Sequence, residues 1–173
     1  MQEINVEARP VPVLWPREGP PPRTSDVLPF RQLDQWPPTE IHERLLEACA
    51  SLDGVRVRQS RMASPRTCAL CLPPGLAGGP PEAFIDPHEF CHLHPLPEGS
   101  IHLVLPPAML ESAMALGWAE RHPISWAGIL ETLAMVYAPR NPRELEAVFG
   151  LIRISCEFAR GVTAWKERAS YVV

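Results

Sequence analysis

The sequence predicts an α+β fold: a largely antiparallel sheet of about five or six strands, with helices packed on one face and a proline-rich arm ahead of it. Three observations carry this. Short alternating or apolar runs bounded by Gly, Pro and Asp recur through the middle of the chain. Two amphipathic stretches with helical spacing enclose them, at about 40–51 and 142–160. Nine of the 22 prolines fall within residues 1–39, where they exclude both helix interior and central strand. At 173 residues, 46% hydrophobic and a mean hydropathy of −0.07, the rest suits one domain. The expected division is an arm at 1–39, a domain at 40–162 and a tail at 163–173.

The arm reads as an extended segment that wraps a surface, because Trp15, Leu28, Phe30, Leu33 and Trp36 are interspersed with its prolines. Arms of this kind often complete a homodimer. Thr39 is the expected N-cap of a helix at 40–51, with Glu40 and Glu43 early in it and an apolar stripe of Ile41, Leu45, Leu46, Ala48 and Cys49. Asp53-Gly54 turns the chain into an alternating strand at 55–58, and a second strand follows at 66–72. Pro73–Pro81 is loop by composition, and Ala83-Phe84-Ile85 is a short apolar run that would add a further strand. A hairpin spans about 88–105. Pro107 opens a helix that Gly117 ends. Residues 119–130 read as loop, with a turn of helix near 125–130. Leu133–Tyr137 is a strand, and Asn141-Pro142 starts the last helix, which Gly161 stops.

Sixteen basic against 20 acidic residues give a formal charge of −4, which argues against nucleic acid as a partner. No stretch approaches the roughly 20 apolar residues of a bilayer span, and no secretory leader is apparent, so a cytoplasmic location is expected. The five cysteines (Cys49, Cys68, Cys71, Cys91, Cys156) then read as reduced, buried thiols. Cys68 and Cys71 form a lone CxxC with no second pair to complete a four-sulfur site. The common nucleotide-binding and hydrolase motifs are absent.

The chemistry concentrates in the hairpin. Four of the six histidines, His88, His92, His94 and His102, lie within fifteen residues. Side chains two apart on a strand share a face, so His92 and His94 project together. His102 falls opposite one of them in any register whose paired numbers sum to an even value. Three imidazoles on one face are poor core material, and a divalent transition metal would satisfy them together; Fe, Zn, Cu, Mn and Ni all suit such donors. The alternative is a solvated or hydrogen-bonded set without a ligand role. Glu89 is out of phase with His92 on a regular strand. A bulge between them would bring it in as ligand, general base or outer-sphere acceptor. His122 could reach the mouth of the site as a second acid–base group, and Tyr137 and Arg140 are candidates to hold a substrate, Arg140 through a carboxylate.

Glu89-Phe90-Cys91-His92-Leu93-His94 and Ser100-Ile101-His102-Leu103 resemble the luciferase-domain family, a domain-of-unknown-function group. Further matches are Pro106-Pro107, Gly117–Pro123, Val136–Arg140 and Glu157–Arg160. The resemblance covers about 40–162 and omits the arm. Its E-x-x-H-x-H…H pattern falls on Glu89, His92, His94 and His102. A more distant likeness, to YjbR/MmcQ-type domains of frataxin-like fold, rests on a Gly-Trp after a helix, a Val-Tyr strand and a closing amphipathic helix, and implies a sheet flanked by helices. The expected function is a small metal-dependent enzyme acting on a small organic molecule in specialised metabolism. The rival is a non-enzymatic binding module whose arm engages a partner.

Overall fold

A computed structural model describes residues 14–162. The start of the arm and the expected tail at 163–173 lie outside the described residues. The elements are α1 (Thr39–Ala50), β1 (Arg56–Gln59), β2 (Cys68–Cys71), β3 (Glu89–Leu93), β4 (Ile101–Val104), α2 (Pro107–Ala115), β5 (Ala119–Arg121), α3 (Pro123–Trp126), β6 (Leu133–Val136) and α4 (Pro142–Ala159). Six strands form one antiparallel sheet in the order β1-β2-β3-β4-β6-β5. Among the described residues, no helix is long and apolar enough to cross a membrane.

Helix boundaries follow local chemistry. Asn141 accepts a hydrogen bond from Glu144 N–H at 2.9 Å and caps α4. α2 ends as expected at Gly117, whose φ of +77° suits glycine. There Gly117 N–H donates to Met114 O and Trp118 N–H to Ala113 O, the paired bonds of a Schellman ending. α1 departs from expectation. Its cap position is Pro38, Thr39 is already helical, and no side chain caps it; the two prolines set the entry of the chain in place of a hydroxyl.

Two further expectations are corrected. Ala83–Ile85 forms no strand: Pro81–Ala83 is a turn of 3-10 helix, favoured by the Pro80-Pro81 pair, and only Asp86 bridges to Glu89 beyond it. Residues 119–121, read as loop, form β5, the short edge strand beside β6. The single turn of helix is α3, earlier than expected. It starts at Pro123, where His122 caps the Ile124 N–H.

The sheet separates two environments. Cys91, Leu93, Ile101 and Leu103 join Leu45 of α1, Leu110 of α2 and Val148, Leu151 and Ile152 of α4 in one apolar core. Each such fully buried side chain contributes about 1.5–3 kcal/mol. The second face carries the histidines and is roofed by the arm. Phe30 packs with Met135 and Tyr137 in a separate cluster. Gln32 is anchored through its Oε1, which accepts from Ala138 N–H at 2.9 Å, and its backbone N–H, which donates to Glu98 Oε1 at 3.2 Å. Nearer its start, the arm is held by Trp15, which meets Trp118 edge-on at 6.0 Å and accepts its indole N–H at 2.6 Å.

Candidate metal centre

β3 and β4 pair with His92 opposite His102, a register whose sum is even. Directly opposed residues share a face. His94 lies two residues beyond His92, and its backbone N–H still bonds Ser100 O across the hairpin at 2.9 Å. The three rings therefore converge, with centroids 5.0 Å (92–102), 5.3 Å (92–94) and 4.5 Å (94–102) apart. One ring nitrogen from each lies within 4.8 Å of the other two. All three rings are buried, and the Nε2 atoms of His92, His94 and His102 have no hydrogen-bond partner.

The Nδ1 of His92 is hydrogen-bonded, and that of His94 faces a carboxylate. His92 Nδ1 stands 2.7 Å from Glu89 Oε1, and His94 Nδ1 stands 3.5 Å from Glu98 Oε2. A neutral ring that donates its Nδ1 proton to a carboxylate keeps a bare lone pair on Nε2. Glu89 reaches His92 because β2 and β3 slip in register: Leu70 pairs with Cys91, but Cys71 pairs with Glu89. Phe90 is the extra residue of this bulge and turns into the main core, which brings Glu89 round to the histidine face. Ser60 Oγ donates to the same carboxylate at 2.9 Å. Glu89 is thus placed as the acceptor that orients His92.

Burial favours the neutral form of His94, His102 and His122. Desolvation first, then the neighbouring histidines, pushes His94 down to about 3 and His102 well below its usual value. Desolvation likewise lowers His122 to about 4. The unfolded chain binds protons on these rings near pH 6.5 and the folded one does not, so acid favours unfolding. Metal-free protein is therefore expected to keep its stability above pH 7 and to lose it progressively from about pH 6.5 towards 4. The slope is at most about 1.4 kcal/mol per pH unit for each ring. Urea unfolding at pH 7.5, 6.0 and 5.0 checks this; a midpoint that holds constant would contradict it.

His122 stands beside the cluster, its ring 4.9 Å from that of His102 and edge-on to Phe30 at 5.3 Å. Its Nδ1 accepts from Ile124 N–H at 3.2 Å. Tyr137 follows Met135, the partner of His102, by two residues and packs against Phe30. Arg17 lies over its ring at 5.4 Å, and burial with the Glu120 carboxylate beside it raises its phenol. Arg140 is turned elsewhere: it pairs with Glu144 and donates to Gln35 Oε1 at 3.1 Å and Glu18 O at 2.8 Å. The fold thus brings Glu89, His92, His94, His102 and His122 together, sets Tyr137 on the same face, and ties Arg140 to α4 and the arm. Sequence reasoning missed Glu98, Phe30 and Gln32. Glu98, four residues after His94 across a turn, was the one legible from spacing. The five cysteines are all free thiols, and burial raises Cys49 to about 12 and Cys91 well above the usual range. Such thiols are inert packing groups.

Curated relatives of this chain are named luciferases. The luciferase of Armillaria ostoyae is 27% identical over 163 residues, covering 84% of this chain and 60% of the relative. That of Armillaria mellea is 26% identical over 174 residues, covering 90% and 65%, and that of Armillaria gallica is 27% identical over 163 residues, covering 84% and 60%. The chain therefore spans about 60–65% of the length of these relatives. No solved structure matches it. The luciferase domain model matches residues 87–155, a stretch that runs from the start of the histidine hairpin through most of α4 and contains every nitrogen of the candidate centre. Over that stretch the chain is similar to the luciferase-domain family.

Proposed function

We propose that the protein is a small metal-dependent enzyme that acts on a small organic molecule, with a divalent transition metal held by Nε2 of His92, His94 and His102. One observation carries the reading: one ring nitrogen from each of three buried histidines lies within 4.8 Å of the other two, and the Nε2 atoms of all three lack a hydrogen-bond partner. Leaving a buried polar atom unpartnered costs about 1–3 kcal/mol, and a single cation answers all three. Three neutral imidazoles that leave a coordination position free are the donor set of catalytic rather than structural centres. When bound, the metal would serve as a Lewis acid or activate water or dioxygen. The names of the relatives support an enzyme.

The protein's own groups have separable tasks in this reading. Glu89, fixed by Ser60, holds the His92 ring and its tautomer, and Glu98 does the same less directly for His94. His122 is neutral near pH 7. Because its Nδ1 accepts from the backbone, its proton resides on Nε2, available for transfer beside His102. Phe30 and the arm keep water off the face. Cobalt(II) titration of the metal-free protein, followed by azide, tests the reading. Uptake near one equivalent, with visible bands that azide perturbs, is expected of a centre with an open position. Bands indifferent to azide would mark a closed structural site, and absence of uptake would remove the metal.

A further inference from the structure

We propose that the cleft between the β1–β2 connection, the segment before β3 and the α3–β6 connection is a binding site for an uncharged, largely apolar small organic molecule. Its volume is about 730 Å³, within the range of small-molecule sites. Met62, Phe84, Ile124, Leu130 and Leu133 are among the apolar residues of its wall. The wall is braced by side-chain bonds to backbone: Thr132 Oγ1 donates to Glu82 O at 2.6 Å, and Ser125 Oγ donates to Glu131 O at 2.9 Å.

Charge defines the class of ligand. The one cation among the described residues of the lining, Arg121, is already committed to the Glu111 carboxylate and to Glu131 O at 3.0 Å. Glu82 and Glu131 add two carboxylates to the lining. An anion would meet like charge there with no cation to receive it, whereas a neutral molecule loses nothing and covers apolar wall.

The cleft also adjoins the histidines. Ile124, in its wall, donates its N–H to His122 Nδ1; His122 donates its own N–H to Leu133 O, also in the wall, at 3.2 Å; and the His122 ring lies 4.9 Å from that of His102. No described residue of the arm contributes to the lining, so a ligand could enter without lifting Phe30. As the place of a substrate, the cleft rests on the enzyme reading above; as a binding site it does not.

The test uses metal-free full-length protein and two probes of one shape: neutral N-phenyl-1-naphthylamine and its anionic counterpart 8-anilinonaphthalene-1-sulfonate. Met62 and Ile129 stand at the rim, 56% and 76% exposed, so a Met62→Asp/Ile129→Asp variant should fold as the wild type does, which circular dichroism and Tm check. Expected is saturable binding of the neutral probe, about tenfold weaker in the variant, whose rim has lost apolar contacts. The sulfonate should bind at least about tenfold more weakly than the neutral probe to wild type. A neutral probe that fails to saturate, or that binds the folded variant unchanged, overturns the site; a sulfonate that binds equally well overturns the ligand class. Cobalt uptake, measured separately, is untouched by any of these results.

Discussion

A His102→Leu variant is expected to be more stable than the wild type without metal and unable to bind metal. His102 is buried between His92, His94, His122 and Phe30, and its Nε2 has no partner. Leucine is of similar size, keeps the apolar contacts and removes the orphaned nitrogen. The gain should be about 1–3 kcal/mol, the cost of leaving such an atom unsatisfied. Metal reverses the order. At 100 times the dissociation constant a ligand adds about 2.7 kcal/mol to the protein that binds it, and the variant gains nothing. Urea unfolding of both proteins, with chelator and with metal, should therefore show the two stability rankings cross. If the histidines are instead a structural hydrogen-bonded set, the variant is the less stable protein under both conditions.

Glu89→Gln should weaken metal binding by about 10- to 100-fold, the usual effect of altering an outer-sphere partner, with little change in Tm. The amide oxygen still accepts from His92 Nδ1, which now stands 2.7 Å from a carboxylate oxygen, and Ser60 Oγ can turn from donor to acceptor. What disappears is the negative charge that makes the imidazole a stronger donor to a cation. Competition with a chromophoric chelator measures the affinity. An unchanged affinity with a lowered Tm would make the pair a structural ion pair, and complete loss of binding would make Glu89 a ligand in its own right.

The elements that were legible in the sequence are those in which local chemistry and burial agree. α4 has an Asn-Pro start, an apolar stripe and a glycine stop, and it forms as the pattern dictates. The hairpin was legible too, because period-two alternation puts His102 opposite His92 or His94 in any even-sum register; the pairing of β3 with β4 selects His92. The bulge at Phe90 was foreseeable only as a condition. Whether a strand slips depends on its neighbour, and here Cys71 pairing with Glu89 decides it. β5 was invisible for the opposite reason: Ala119–Arg121 is too short to show a period and is held by pairing with β6. The roof over the site is equally non-local. Proline content foretells an extended arm, but no spacing reveals that Phe30 and Gln32 will settle on the histidine face.

The most direct measurement is the metal content of untagged protein purified without chelators, beside a His92→Ala/His94→Ala variant shown to be folded. The account predicts about one equivalent of transition metal in the wild type, as a three-histidine centre requires, and almost none in the variant. Metal-free wild type that also fails to take up Fe(II), Zn(II), Cu(II), Mn(II) or Ni(II), or a variant that keeps its metal, would contradict it.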